Sequence, residues 1–157
     1  MSEKNQPSCF CAYPSTPASL AETIEQAIEL INGTEVIDAI SWKSLRVAGR
    51  LVMPEICAAI DRADLFLCDL THLNPNVLFE FGYAVARNKR VYVVLDDSYQ
   101  NAQQSYKQVR SLTTIGYAGY HNANDIVRSF LDVQPYRDLD HTLYTDVIEI
   151  IASSKPS

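Results

Sequence analysis

The sequence predicts a single α/β domain built on a parallel five-stranded sheet, and three observations predict it. Short apolar runs alternate with stretches of helical periodicity along most of the chain, the pattern of strands joined by crossover helices. The central run Leu65-Phe66-Leu67-Cys68 is uninterrupted, as a strand covered by helices on both faces requires. The length of 157 residues is enough for one core and too short for two with a linker.

Taken in order, Ser8 to Tyr13 is a first strand closed by Pro14. Leu20, Ile24, Ala27, Ile28 and Ile31 repeat at helical spacing over Ser19 to Ile31, a helix ended by Asn32-Gly33. Glu35 to Ile40 is a second strand leading into Ser41 and Trp42, followed by loop to about Gly49. Leu51 to Ala63 is a second helix, with Pro54 tolerated in the first turn, where its missing N–H has no partner to lose. Asp64 to Asp69 is the third strand. Asn74 and Pro75 supply an N-cap and a first helical position for a third helix ending near Asn88. Val91 to Leu95 is a fourth strand ending at Asp96-Asp97, and a polar helix follows to Arg110. Thr113 to Tyr120, Ala123 to Leu131 and Asp140 to Ala152 complete the series as strand, helix and closing helix, the last with Leu143, Val147, Ile150 and Ile151 on its apolar side. Right-handed crossovers between these elements give a flavodoxin-like three-layer fold, strand order 2-1-3-4-5. The domain spans 8–152, between a disordered 1–7 and a 153–157 tail or start of a linker. No internal repeat interrupts it.

Composition narrows the function. Hydrophobic residues make up 47% and charged residues 20%, the profile of a packed globular protein. The net charge is −6 and the basic residues are scattered, which argues against nucleic-acid and anionic-membrane partners. No apolar run approaches the ~20 residues of a membrane span, and the opening MSEKNQPS is polar where a signal peptide is apolar; a cytoplasmic location is expected. Cys9, Cys11, Cys57 and Cys68 lie in apolar segments without C-x-x-C spacing and are expected as buried thiols. His72, His121 and His141 are too dispersed for a metal motif, so no metal is expected.

In a sheet of this order ligands bind beyond the carboxyl ends of strands one and three, where the chain order reverses. The expected wall is Tyr13 to Ser19, the Trp42 loop and Asp69 to Glu80. On the third helix Leu78, Phe79, Phe81, Ala84 and Val85 cover most of the circumference, leaving Asn76, Glu80, Tyr83 and Arg87 as a narrow polar stripe. An acid in the first turns complements the helix dipole, yet an apolar helix is a costly place for an unpaired carboxylate, and this one falls at the ligand-binding edge. Glu80 is therefore the candidate catalytic group. Asn74 is expected to cap, Asp69 either to hold the loop or to contact ligand, and Trp42 to be either core or a platform for a planar base. The Tyr13-Pro14-Ser15-Thr16-Pro17 turn stands where such folds present backbone N–H groups to phosphate. It has no glycine, so neither a Walker loop nor a G-x-G-x-x-G fingerprint is present. The absence of a G-x-S-x-G elbow argues against a serine hydrolase.

The segment Ala63-Asp64, Cys68-Asp69-Leu70-Thr71, Asn74-Pro75-Asn76-Val77 and Phe79-Glu80-Phe81-Gly82-Tyr83-Ala84, with Lys89 after it and Trp42 and Gly49 before it, resembles the bacterial TIR-like domains that border the nucleoside 2-deoxyribosyltransferase superfamily. The resemblance covers roughly Ser8 to Asp97. It implies cleavage of the bond between a ribose-type sugar and a base, with Glu80 as the catalytic carboxylate. In the TIR-like branch the implied substrate is NAD, giving nicotinamide and linear or cyclised ADP-ribose, often in defence against phage. In the transferase branch it is a deoxynucleoside whose sugar passes to a second base. A third possibility is a non-catalytic nucleotide-binding or assembly domain. Tyr13, Pro14 and Ser15 are then expected to face phosphate or ribose, Trp42 or Tyr83 to line the base pocket, and Asp69 and Asn76 to complete the site, with NAD as substrate and no cofactor. The chain lacks the serine- and tryptophan-rich segment of many animal and plant TIR domains. It also lacks the C-terminal carboxylate of many deoxyribosyltransferases, which favours NAD. Activity through homo-oligomers, with a sensor domain or activating partner outside this chain, is the further implication.

Overall fold

The computed structural model describes residues 6–45, 52–145 and 152–154. Strands β1 (Ser8–Ala12), β2 (Asp38–Ser41), β3 (Leu65–Asp69), β4 (Arg90–Asp96) and β5 (Tyr117–Tyr120) form one sheet, ordered β2-β1-β3-β4-β5, with every pairing parallel. Helices α1 (Ala18–Gly33), α2 (Val52–Arg62), α3 (Pro75–Ala86), α4 (Ala102–Thr113) and α5 (Ala123–Val133) connect and follow the strands. This is the flavodoxin-like topology the sequence predicts.

The two-residue period of each strand divides the core into two layers. Cys9, Cys11, Leu65, Leu67 and Val94 point toward α1 and α5. Phe10, Ala12, Phe66, Cys68 and Val93 point toward α2, α3 and α4. All five residues of β3 are buried, as its unbroken apolar run requires. The exposed side of the edge strand β2 is also satisfied: the Asn32 amide donates to the Ala39 carbonyl at 2.9 Å and accepts from the Ala39 N–H at 2.7 Å. One side chain thus stands in for a missing neighbour strand.

Several boundaries differ from the sequence expectation for local reasons. Helix α1 runs through Gly33, and the chain reverses at Glu35 (φ 60°), so β2 starts at Asp38 rather than Glu35. Helix α4 continues through Thr113 to a left-handed cap at Thr114 (φ 57°), which shortens β5 to Tyr117–Tyr120. A short 3-10 turn at Pro135–Arg137 follows α5. Cys57 is only half-buried on α2, while Cys9, Cys11 and Cys68 are buried. Gly49, Leu51, Val147, Ile150 and Ile151 lie outside the described residues, and with them the middle of the expected closing helix. Among the described residues no helix is long and apolar enough to cross a membrane.

Candidate active site

The order reversal between β1 and β3 puts three connections at one edge of the sheet: the Tyr13–Pro17 turn, the β2 exit at Trp42, and the loop from Leu70 to Asn74. That loop is tied down at both ends. At its start the Thr71 N–H and hydroxyl each donate to Asp69 at 3.0 Å. At its end the Asn74 side chain caps α3, accepting from the N–H groups of Asn76 at 2.9 Å and Val77 at 3.3 Å. Helix α3 leaves this cap with a fixed rotation, which decides where its side chains point.

Glu80 occupies the second turn of α3, about 7.5 Å along the axis from Pro75. It is 7% exposed, on the same helix face as the buried Val77, Phe81 and Ala84. Its carboxyl group lies within electrostatic reach of the Cys68 thiol on β3 and the Cys57 thiol on α2. Among the described residues no hydrogen-bond donor or cation partners it, and burial alone pushes its pKa up to about 7. A carboxylate in largely apolar surroundings without a protein partner is costly, even where its oxygens keep some contact with solvent, as those of Glu80 do. Such a group, close to a ligand-binding edge, is poised for a ligand.

Asp69, 1% exposed, is the opposite case. Besides Thr71 it accepts a 2.5 Å hydrogen bond from the Tyr120 hydroxyl at the end of β5. Burial raises its pKa, while Tyr120 and Thr71 oppose that rise. Of the two roles open to Asp69, holding the loop is the one its contacts serve. Strand alternation also sends its side chain to the α1/α5 side, away from Glu80 on the α2/α3 side.

Tyr13 is buried, and its hydroxyl donates to Glu25 at 3.0 Å and accepts from the Ser41 hydroxyl at 3.3 Å; burial pushes its pKa up to about 12. Glu25 also pairs with Lys43, whose hydrogen bond lowers its pKa. Lys43 in turn lies 5.7 Å over the Trp42 ring. Sequence reasoning missed Glu25, Ser41 and Lys43 as partners of Tyr13 and Trp42. The only available signal was that Ser41-Trp42-Lys43 follows a strand ending beside β1. Trp42 is half-buried and packs on both core layers, so it is part core and part rim. Pro14 is buried, whereas Ser15 and Asn76 are exposed at the same edge.

Tyr83 is not brought to this edge. It lies about 12 Å down α3 from Pro75, where its hydroxyl donates to Asp61 of α2 at 2.8 Å. Arg87 reaches the same carboxylate at 2.7 Å, and Lys89 donates to the Asp61 carbonyl at 2.8 Å. The lower members of the polar stripe on α3, Tyr83 and Arg87, reach across to Asp61 of α2, while Asn76 at its top is exposed and Glu80 between them has no partner among the described residues. Phe79, expected to be buried, is 52% exposed. The expectation failed because apolar residues around a helix do not reveal which side a neighbouring helix covers.

Two cavities flank the sheet. One of about 290 Å3 lies at the carboxyl edge, between Thr71–Leu73 and Tyr99–Ala102, with the His72 and Tyr99 rings in edge contact at 4.4 Å. The other, about 340 Å3, opens at the amino edge where β4 and β5 begin, and neither cavity is lined by Glu80 or another of the expected site residues. Ligands of this topology bind at the carboxyl edge, so the larger cavity is not the candidate site.

No family model matches the chain, and no curated protein matches it. Among solved structures the chain is similar to the Clostridium botulinum CMP N-glycosidase BcmB, with a TM-score of 0.58 and 18% identity over 81% of this chain and 98% of that one. At that identity the likeness is one of fold.

Proposed function

We propose that this chain cleaves an N-ribosidic bond, with Glu80 as the catalytic carboxylate and NAD as the preferred substrate. The observation that carries the reading is the buried Glu80 carboxyl group, which has no partner among the described residues and stands in the second turn of the helix that rises from the switch point. Ionised, it stabilises an oxocarbenium-like sugar or attacks it, in a site where low dielectric strengthens that interaction. Nicotinamide in NAD is already cationic and departs neutral, so a single carboxylate suffices where ordinary glycosides need a second, acidic group. Trp42 borders the base, and Ser15 and Asn76 are exposed polar groups at the two loops that would meet ribose or phosphate.

A second reading takes a nucleoside or nucleotide with a neutral base, by hydrolysis or by sugar transfer to another base. It is favoured by the fold shared with an enzyme described as a CMP N-glycosidase. There a protonated Glu80, accessible at neutral pH because its pKa is near 7, supplies the proton the leaving base needs. The TIR-like relationship, cytoplasmic action in defence against phage, side-by-side assembly and an external activator belong to the first reading and stand or fall with it.

The test incubates concentrated protein with NAD, with CMP, and with deoxynucleosides plus a free acceptor base, beside Glu80→Gln, and resolves the products chromatographically. Nicotinamide release lost in the variant supports the first reading. CMP cleavage or base exchange lost in the variant supports the second. Nucleotide binding without turnover in the parent protein withdraws both in favour of a binding domain.

A further inference from the structure

The carboxyl edge contains a second buried carboxyl group, Asp69, and its partners form a continuous hydrogen-bonded brace across three strands. The Tyr120 hydroxyl on β5 donates to Asp69 Oδ2 at 2.5 Å, and the Thr71 hydroxyl donates to the same oxygen at 3.0 Å. The Thr71 oxygen in turn accepts from the Asp96 N–H on β4 at 2.9 Å, and the Leu70 N–H donates to the Val94 carbonyl at 3.2 Å. Asp69, Thr71 and Tyr120 are 1%, 3% and 1% exposed, so water does not compete for these bonds. The braced residues run directly into the turn closed by Leu73 N–H on the Leu70 carbonyl at 3.2 Å, and then into the Asn74 cap. Glu80 stands six residues past that cap on a rigid helix.

From this geometry we infer that Tyr120 is a positioning residue: acting through Asp69 and Thr71, it fixes the start of α3 and thereby the place of the Glu80 carboxyl group. Tyr120 touches neither Glu80 nor its surroundings, since it lies in the core layer on the other side of the sheet. Its influence runs through a loop with little freedom of its own. The inference rests on Glu80 being the catalytic group only for its kinetic consequence; the mechanical link stands on the hydrogen bonds alone.

The experiment compares Tyr120→Phe with Tyr92→Phe. Tyr92 is a buried tyrosine in the same core layer whose hydroxyl bonds Ser129 at 3.0 Å and never meets the loop. Amide hydrogen exchange and the Glu80 carboxyl 13C resonance, recorded at one fixed pH, are read in both. In Tyr120→Phe the amides of 70–77 exchange at least about tenfold faster and the Glu80 resonance moves, whereas Tyr92→Phe leaves both as in the parent. Thr71→Val breaks the brace one link later and must give the same pattern, which keeps the test decisive if Tyr120→Phe folds poorly. Where the parent turns over substrate, Tyr120→Phe lowers kcat about tenfold with KM little changed, the mark of a misplaced catalytic group. An unmoved Glu80 resonance, or equal changes in the Tyr92→Phe control, overturns the inference. The expected spectroscopic pattern in a parent without turnover keeps the brace and removes the cleavage reading.

Discussion

Asp69 and Glu80 are two largely buried carboxyl groups separated by eleven positions, with opposite fates. Asp69 receives donors from Thr71, twice, and from Tyr120; Glu80 has no partner among the described residues. Both pKa values are raised by burial, but at Asp69 the hydrogen bonds oppose that rise, and at Glu80 nothing does. The difference separates two uses of a buried acid. One is paired and holds the loop in place. The other has no donor from the described residues, which is the arrangement the proposed catalytic role requires. Burial alone would have ranked Asp69 first.

The comparison breaks first on turnover. Glu80→Gln keeps the shape and removes the charge, and is expected to lower N-ribosidic cleavage by about 10³-fold, measured as product release at saturating substrate. For NAD, kcat/KM of the parent is expected to rise with pH and level off above about 7, since the ionised form of Glu80 is the active one. A rate that instead falls through that pH assigns Glu80 the role of acid and moves the reading to a neutral base.

Next in size is Asp69→Ala, which strands the Tyr120 and Thr71 hydroxyls. It is expected to cost about 3 kcal/mol of stability in urea unfolding. A cost under about 1 kcal/mol would mean that the brace is weak and that Asp69 is conserving charge for another purpose.

The contrast sharpens with Glu80→Gln, whose stability effect has the opposite sign. Because the folded pKa of Glu80 lies above its unfolded value, the folded state binds more protons than the unfolded one. Its contribution to stability is therefore fully present below about 4.5 and is lost as pH rises to about 7. The variant escapes that loss. Its stability relative to the parent should climb across this window and level off at about 3 kcal/mol once the pH exceeds about 7, measured by urea unfolding at several pH values. A flat difference would show that the carboxyl group is better solvated or partnered than its surroundings here indicate.

The smallest effect is expected at Tyr83. Removing its hydroxyl in Tyr83→Phe cuts one bond to Asp61 at the far end of α3, so cleavage should stay within about twofold of the parent. A large rise in KM would return Tyr83 to the substrate pocket that the sequence resemblance implied.

Much of the fold was legible in the chain. The unbroken run at Leu65–Cys68 marked the central strand, and Asn74-Pro75 marked the start of α3, because a cap and a first-turn proline follow rules that act over a few residues. Glu80 stood out on the same local grounds, as an acid in an apolar helix. Boundaries set by left-handed turns at Glu35 and Thr114 were not legible, since neither residue is one that favours that conformation. Nor was the pairing of Tyr120 with Asp69, fifty-one positions apart, or of Tyr83 with Asp61.

The sequence by itself therefore determined the order of strands and helices, the edge at which a ligand is expected and the carboxylate to suspect there. These depend on periodicity, capping and the handedness of crossovers, all properties of short stretches of chain. Only the tertiary structure decided which acid is paired and which is not, and that Tyr83 serves the α2–α3 contact. Partnership depends on where side chains from distant segments meet, and no local rule carries that information.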